Sequence, residues 1–160
     1  MDTTITASHN QTSLRKAALV AGLAVLLMAL TVPIVEFYIF PKLIDFKNPT
    51  QTTQNIANHE KLFSIAIFIH FITVICDVVA AWALYIFFKL VNKNLSLLTA
   101  WFRLVYTAFN IAALLNLIQI LSFLKPGANL SSIHSDQMPD YVLLNFNSFN
   151  LQGRFGLVFF

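Results

Sequence analysis

The sequence predicts an all-α helical bundle that is integral to a membrane. Hydrophobic residues make up 58% of the 160 residues and charged residues only 11%, whereas a soluble domain carries about a quarter charged residues. The apolar residues also fall in long blocks, and block length, more than average hydropathy, marks membrane-spanning helices. Together these observations disfavour an ordinary soluble core.

The chain divides into a polar tail and one transmembrane domain. Residues 1–16 are rich in Ser, Thr, Asn and Gln, and this composition predicts a disordered tail. A single transmembrane domain is predicted over 17–160. Its first span, over 17–40, is too long for the apolar core of a signal peptide and is expected to kink near Pro33.

The second span is preceded by a polar connection and followed by a short loop. Residues 41–60 form the connection, in which Pro49 and Thr50 are expected to open a short helix that runs on into the second span. That span, over 61–88, measures about 40 Å, so it must tilt in or protrude from a hydrocarbon layer of about 30 Å. The third span follows over 95–124.

The C-terminal part is predicted to hold the start of a fourth span. After Pro126-Gly127 end the third span, a helix is expected to begin near Tyr141 with Asp140 as its N-cap. The fourth span begins near residue 153 and contains only about six further apolar residues, whereas a crossing needs about twenty. We therefore expect the transmembrane domain to be incomplete at its C-terminus.

The spans predict a multi-pass protein of the cell membrane, and the distribution of positive charge favours a cytoplasmic N-terminus. The basic residues assigned to the inside lie closer together and on a shorter loop than those assigned to the outside, which favours this orientation. The inside residues are Arg15, Lys16, Lys89 and Lys93, and the outside residues are Lys42, Lys47, Lys61 and Lys125.

Several classes of partner and site are disfavoured. The ten Lys and Arg residues are scattered without a basic run, so nucleic-acid binding is not expected. Cys76 is the single cysteine, which excludes an intramolecular disulfide and a cysteine-based zinc cluster. His59 and Glu60 do not continue into an HExxH motif, so no metal site is predicted. The expected partners are the lipid bilayer and other helices, including those of a homo-oligomer; no cofactor or ligand is identified.

An aspartate and an arginine lie inside the apolar spans. Asp77 lies 12 residues before Lys89 and Arg103 lies 9 residues after Asn94, which places them about 18 Å and about 13–14 Å from the connecting loop. Since the two spans are antiparallel neighbours, the axial offset is about 5 Å, within reach of an arginine side chain. Unpaired, each charge would cost at least ~2.5–3.5 kcal/mol at mid-membrane. An Asp77–Arg103 ion pair is therefore predicted.

Further polar side chains share the helix faces that carry this pair. At about 100° per residue, polar residues of the second span fall in a narrow arc with Asp77, and those of the third span fall on one stripe with Arg103. Glu36, near the far end of the first span, is most simply an interfacial residue. The predicted buried polar cluster comprises Asp77, Arg103, His70, Thr73, Tyr106, Thr107, Asn110 and Glu36.

Two interpretations of this cluster stay open. In the structural one, the ion pair fixes helix register, and Thr73, Thr107 and Asn110 add hydrogen bonds between helices. In the functional one, the same groups surround a polar cavity that serves as a proton relay, a ligand site or a catalytic site. His70, two turns from Asp77, is either part of a proton relay or a hydrogen-bonded core residue. No catalytic residue is identified.

Several segments, in order, resemble one known family. They are AGLAVLLMALTVPIVEFYIF, CDVVAAWALY, VNKNLSLL, FRLVYTAFN, SDQMPDYVLLNF and GRFGLVFF. Over nearly everything from Lys16 to Phe160, the sequence resembles the bacterial and archaeal membrane proteins known as domain of unknown function 4386. The resemblance implies additional spans beyond GLVFF, and it matches Asp77 and Arg103 to family motif positions, with Glu36 as a further candidate. It names no substrate.

Three functions remain open. The first is a membrane binding, sensing or transport-type protein whose polar cluster between the second and third spans engages a ligand or proton. The second is a membrane-embedded enzyme that uses Asp77, His70 or Glu36 on a lipid-like substrate. The third is a structural partner subunit in which the pair only sets packing. An accessible cavity around Asp77 would separate the first two from the third.

Overall fold

Helices account for nearly all of the described chain. The structure, a computed structural model, describes residues 3–124 and 137–159, with side chains from residue 15 onward. The predicted end of the third span at Pro126-Gly127 lies outside these ranges. Within them there are α-helices, a π-helical segment and a short 3-10 helix, and no strand. The predicted all-α class is confirmed.

The first helix, α1, spans Thr3–Ile34 and contains a proline near its end. Pro33 lacks an N–H group, and its ring crowds the carbonyl four residues earlier. The chain continues as a π-helix over Val35–Ile39 and then as the short helix α2, Phe40–Leu43. The irregularity predicted near Pro33 is thus followed directly by a π-helical insertion, a feature frequent at functional sites.

The polar tail predicted to be disordered is helical in the structure from Thr3 onward. Its Ser, Thr and Asn residues are only moderate helix formers, which is the basis of the prediction. No glycine or proline occurs before Gly22, however, so no strong helix breaker ends α1 as it extends toward the N-terminus. The disorder expected of residues 1–16 stays a prediction.

A short helix, α3 over Pro49–Asn58, connects the first span to the second. Asn48 caps it, because its Oδ1 accepts a hydrogen bond from the Gln51 N–H at 3.1 Å, and proline lies in the first turn, where it is favoured. The predicted helix start is confirmed. The helix does not run straight into the second span, since His59 departs from helical geometry (φ −123°, ψ 37°) and the next helix begins at Glu60.

One buried threonine ties this connection together. Thr52 is fully buried. Its hydroxyl accepts a hydrogen bond from the Asp45 N–H at 2.8 Å and donates one to the Asp45 carbonyl at 2.9 Å. Both backbone groups of Asp45 are therefore satisfied by one side chain, which holds α3 against the end of α2.

Helices α4 (Glu60–Phe88) and α5 (Lys93–Leu124) form a hairpin with a short turn. Asn92 precedes α5, and its Oδ1 accepts hydrogen bonds from two backbone N–H groups, each at 3.1 Å. The buried Ser96 hydroxyl of α5 donates to the Tyr85 carbonyl of α4 at 2.8 Å. These bonds fix the axial register of the two helices close to the turn.

The last long helix, α6, spans Met138–Gly156 and passes into a short 3-10 turn. It begins three residues before the predicted start, with Gln137 rather than Asp140 at the N-cap position, because Pro139 suits the first helical turn. No helix begins near Gly153, which lies inside α6. Among the described helices, α6 is not one of those that are both long and apolar enough to cross a membrane.

The long helices pack in chain order: α1 against α4, α4 against α5, and α5 against α6, with α3 also packed on α6. The bulky core lies at one end of the bundle, where α2, α3, the start of α4, the end of α5 and α6 meet. Its residues are Val35, Ile39, Phe40, Leu43, Ile44, Ile56, Phe63, Ala66, Ala113, Leu117, Ile120, Val142, Phe146 and Phe149.

The opposite end of the bundle is packed mainly through small residues. Alanines there are almost fully buried on α1 and on α4, although neither helix carries bulky core side chains at this level. In a membrane, small residues let helix backbones approach closely and gain van der Waals contact. These alanines are Ala17, Ala21 and Ala24 of α1 and Ala80, Ala81 and Ala83 of α4.

Three helical stretches are long and apolar enough to cross a membrane: Arg15–Leu43, Glu60–Phe88 and Lys93–Leu124. Large apolar side chains cover their outer faces; Leu23 is 65% exposed and Phe37 is 82% exposed. Soluble monomers rarely carry extensive apolar patches of this kind, whereas lipid tails solvate them. The stretches agree with the three predicted full spans to within a few residues, and the surface is that of a membrane protein.

Two glycines of α6 provide a test of how closely this helix approaches α5. A Cβ at Gly156 would lie 3.2 Å from Phe109 Cβ and 3.2 Å from Tyr106 Cδ2, whereas a Cβ at Gly153 would meet nothing within 4 Å. We expect Gly156→Ala to lower the free energy of unfolding by about 1–3 kcal/mol through overpacking. Gly153→Ala should raise it by about 0.5–1 kcal/mol through helix propensity. Thermal unfolding in detergent measures both, and equal stabilities would contradict the close approach.

Candidate functional site

The Asp77–Arg103 ion pair forms between α4 and α5. Arg103 Nη2 lies 3.2 Å from Asp77 Oδ1 and donates a hydrogen bond to it. Asp77 has no exposed surface, and the Arg103 side chain is 12% exposed. The contact predicted from axial position is therefore confirmed.

The hairpin explains why the two residues meet. Asp77 lies 11 residues before the end of α4, and Arg103 lies 10 residues after the start of α5. At the helical rise of 1.5 Å per residue, these separations are about 16 Å and about 15 Å. Both residues therefore lie at nearly the same distance from the turn. The small residues Ala80 and Ala81, buried one turn from Asp77, leave room for the long arginine side chain.

The buried pair is only partly satisfied. Asp77 Oδ1 accepts the hydrogen bond from Arg103, whereas Oδ2 has no hydrogen-bond partner among the described residues. Removing either partner of a buried pair costs about 3–5 kcal/mol, while replacing both by neutral groups is often harmless. The pair therefore constrains which residues of α4 and α5 face each other more than it adds net stability.

Thr73 and Thr107 do not bridge helices, contrary to the structural interpretation. The Thr73 hydroxyl donates to the carbonyl four residues earlier at 3.0 Å, and the Thr107 hydroxyl does the same at 2.8 Å. In a helix that carbonyl is close to a threonine hydroxyl without any movement of a neighbouring helix. An interhelical bond is formed instead by Asn116, whose Nδ2 donates to Gln152 Oε1 of α6 at 2.8 Å.

A second polar contact joins the π-helical segment to α4. His70 Nε2 lies 3.6 Å from Glu36 Oε1. Glu36 belongs to the π-helix Val35–Ile39, whose wider turn changes the face that the following residues present. Its side chain is 35% exposed, against 14% for His70. Glu36 therefore faces His70 across the helix interface.

His70 is held mainly by aromatic rings. It stacks on Phe40 at 5.9 Å between centroids (11° between planes) and meets Phe149 edge-on at 5.2 Å (76°). Phe40 and Phe149 also contact each other at 5.5 Å. His70 Nε2 forms no hydrogen bond among the described residues, and both interpretations of His70 stay predictions.

A cavity of about 340 Å³ lies between α1, α4, α5 and α6. This volume is at the lower end of the roughly 300–1,000 Å³ found for small-molecule sites. The residues of the predicted polar cluster fall into two groups. One group lines the cavity, and the other includes the ion pair, about one helical turn away. The described lining includes Glu36, His70, Thr73, Tyr106 and Asn110 and leaves out Asp77, Arg103 and Thr107.

Helix α6 supplies cavity residues that sequence reasoning missed. Phe149, Asn150 and Arg154 line the cavity together with Gly153. Asn150 and Arg154 are four residues apart, a spacing that places them on one helix face. This spacing is a usable signal, but the helix start predicted near residue 153 lies between the two residues, so the sequence prediction does not use it.

The lining offers groups that can hold a polar ligand or exchange a proton. Glu36 and His70 are the titratable pair, and Tyr106 and Asn110 interact with each other on the facing helix. His70 Nε2 lies 3.6 Å from Glu36 Oε1 and forms no hydrogen bond among the described residues. In the same part of the chain, no group of three or more His, Cys, Asp and Glu residues is placed to hold a metal ion.

A comparison with known protein families identifies the family of this chain. The family model described as domain of unknown function (DUF4386) matches residues 20–160. This range covers most of the first long apolar stretch, all of the other two, the ion pair and every cavity residue named above. No curated protein and no solved structure gives a significant match. The chain therefore belongs to the DUF4386 family.

Proposed function

We propose that the chain is a multi-pass membrane protein of binding, sensing or transport type, whose ligand occupies the cavity between α1, α4, α5 and α6. The observation that carries this proposal is the convergence of polar side chains from four helices on one cavity that is partly open at the side of the bundle. Polar and ionisable groups are expensive within a membrane and usually mark a ligand, ion or proton pathway.

A purely structural role accounts for the ion pair but not for the cavity. Asp77 and Arg103 pair with each other, and a role in helix register is sufficient to explain them. Helix register does not explain why Glu36, His70 and Arg154 line one space. His70 Nε2 forms no hydrogen bond among the described residues, and buried atoms of this kind normally pair with water or a ligand. A ligand site would supply such a partner.

An enzyme acting on a lipid-like substrate is the second candidate. The 3.6 Å contact between Glu36 and His70 favours it, since a carboxylate beside an imidazole is a common acid–base arrangement. Asp77 is a poorer choice for that chemistry, because it is paired with Arg103 and is not part of the described cavity lining. In an enzyme, Glu36→Gln would abolish turnover and leave substrate binding; in a binding protein it would alter affinity alone.

We further propose that the protein lies in the bacterial inner membrane with its N-terminus in the cytoplasm. The turn between α4 and α5 is then cytoplasmic, and α2 and α3 lie on the outer side. Lys89 and Lys93 flank this short turn, in agreement with the positive-inside rule. The cavity would occupy the outer half of the bundle, and the ion pair would lie below it near the membrane centre.

Cysteine reactivity tests whether the cavity is hydrated. In a Cys76→Ser background, Asn150→Cys should react with a small methanethiosulfonate at least about tenfold faster than two controls, because a thiol must ionise in water to react. Ala80→Cys is the control for a packed interior, and Val78→Cys is the control for a lipid-facing position, since Ala80 is fully buried and Val78 is 44% exposed. An Asn150→Cys rate equal to the controls would mean a dry interior, and the structural role would then lead.

Labelling in intact cells tests the orientation. Val91, in the turn between α4 and α5, is 86% exposed, and a Val91→Cys thiol should resist an impermeant maleimide until the membrane is opened. Lys47→Cys, at the opposite end of the bundle, should label without permeabilisation. The reverse pattern would place the N-terminus outside.

A further inference from the structure

Two opposite charges line the cavity from opposite helices. Glu36 comes from the π-helical segment after α1, and Arg154 comes from the last turn of α6. Both belong to the lining of the same 340 Å³ space. The cavity therefore presents a negative and a positive group within one small volume.

The two charges do not neutralise each other. The salt-bridge contact of Glu36 is to His70, at 3.6 Å, and Arg154 has no salt bridge to any described residue. Arg154 is exposed and the Glu36 side chain is 35% exposed, so an external partner of opposite sign can reach both groups. A ligand that carries only one charge would pair with either Glu36 or Arg154. The other residue would then face a like charge or no charge on the ligand.

The remaining lining groups suit a ligand with two ends. Tyr106 and Phe149 supply aromatic faces, which attract ammonium groups. Asn110 supplies an amide N–H donor for an anionic oxygen, and His70 supplies an Nε2 atom that forms no hydrogen bond among the described residues. Each chemical feature of the wall thus has a counterpart in a molecule that bears both an ammonium and an acidic group.

We propose that the cavity binds a zwitterion, with its primary ammonium against Glu36 and its anionic group against Arg154. This inference rests on the proposed function and names the chemical class of its ligand. A metal ion is a poor alternative, since no metal-binding group of side chains occurs among the described residues. An apolar ligand would offer no polar partner to Glu36, Arg154 or His70 Nε2.

Two sources supply such a zwitterion: the headgroup of an ethanolamine phospholipid, and a free amino acid or similar solute. The aromatic contacts between Phe40 of α2 and Phe146 and Phe149 of α6, at 5.1 and 5.5 Å, cover the outer end of this region. On the side of these rings that faces the ion pair, α1 and α6 do not pack extensively against each other. Entry from the lipid side between α1 and α6 would suit a headgroup, and entry through the outer end would suit a solute.

Protection of a cavity thiol tests the proposal. The Asn150→Cys, Cys76→Ser protein is placed in nanodiscs of phosphatidylglycerol alone, or of phosphatidylglycerol mixed with phosphatidylethanolamine of the same acyl chains. Phosphoethanolamine and alanine are added separately to the first kind of disc as soluble probes. We expect a zwitterionic probe to slow thiol labelling by about tenfold, as occupancy near 90% would. Protection by the mixed lipid alone identifies a headgroup, and protection by a soluble probe identifies a solute.

Matched charge variants separate a zwitterion site from general crowding. Glu36→Gln should abolish the difference between the two lipid compositions and the effect of the soluble probes, whereas Glu60→Gln, an exposed control on α4, should leave both unchanged. Arg154→Gln should abolish protection, and Lys61→Gln, also exposed, should not.

Equal labelling with every probe, or protection that survives Glu36→Gln, would overturn the zwitterion and leave a hydrated cavity in place. Failure of the proposed function has a different result, since the Asn150→Cys thiol would then be unreactive before any probe is added.

Discussion

An ionised carboxylate and a guanidinium are costly to bury in a membrane unless they pair with each other. The arrangement of this bundle depends on that constraint. Asp77 of α4 and Arg103 of α5 meet at 3.2 Å in a region packed by alanines. A shift of either helix by one turn, about 5.4 Å, would leave two buried charges unpaired. Together with the Ser96–Tyr85 bond at the turn, the pair fixes how α4 and α5 align.

Once that hairpin is fixed, the other helices define a space above the pair. α1 packs on α4, and α6 packs on α5. Bulky residues fill the end of the bundle, and the rings of Phe40 and Phe149 enclose His70. Between this core and the ion pair, polar side chains line a cavity that packing does not fill. The ion pair and the cavity thus involve different residues of the predicted polar cluster.

The predictability of each feature follows from how the chain connects it. The Asp77–Arg103 contact can be calculated because a short turn joins the two helices, so depth follows from counting residues. The contribution of Arg154 cannot be calculated this way, because the connection between α5 and α6 is long and sets no register. Hydrophobic length gives the three spans, yet the hydroxyls of Thr73 and Thr107 escape prediction, because a carbonyl of the same helix competes with any partner across the interface.

The most direct measurement is a double-mutant cycle on the ion pair, with Asp77→Asn, Arg103→Gln and the combined variant compared for folded yield and thermal stability in lipid. We expect each single change to lower stability by about 3–5 kcal/mol, because it leaves one uncompensated buried charge. The double change should recover most of that loss, since Asn and Gln are neutral. A double variant no more stable than the worse single variant would mean that the two charges do not depend on each other, and the register would have another origin.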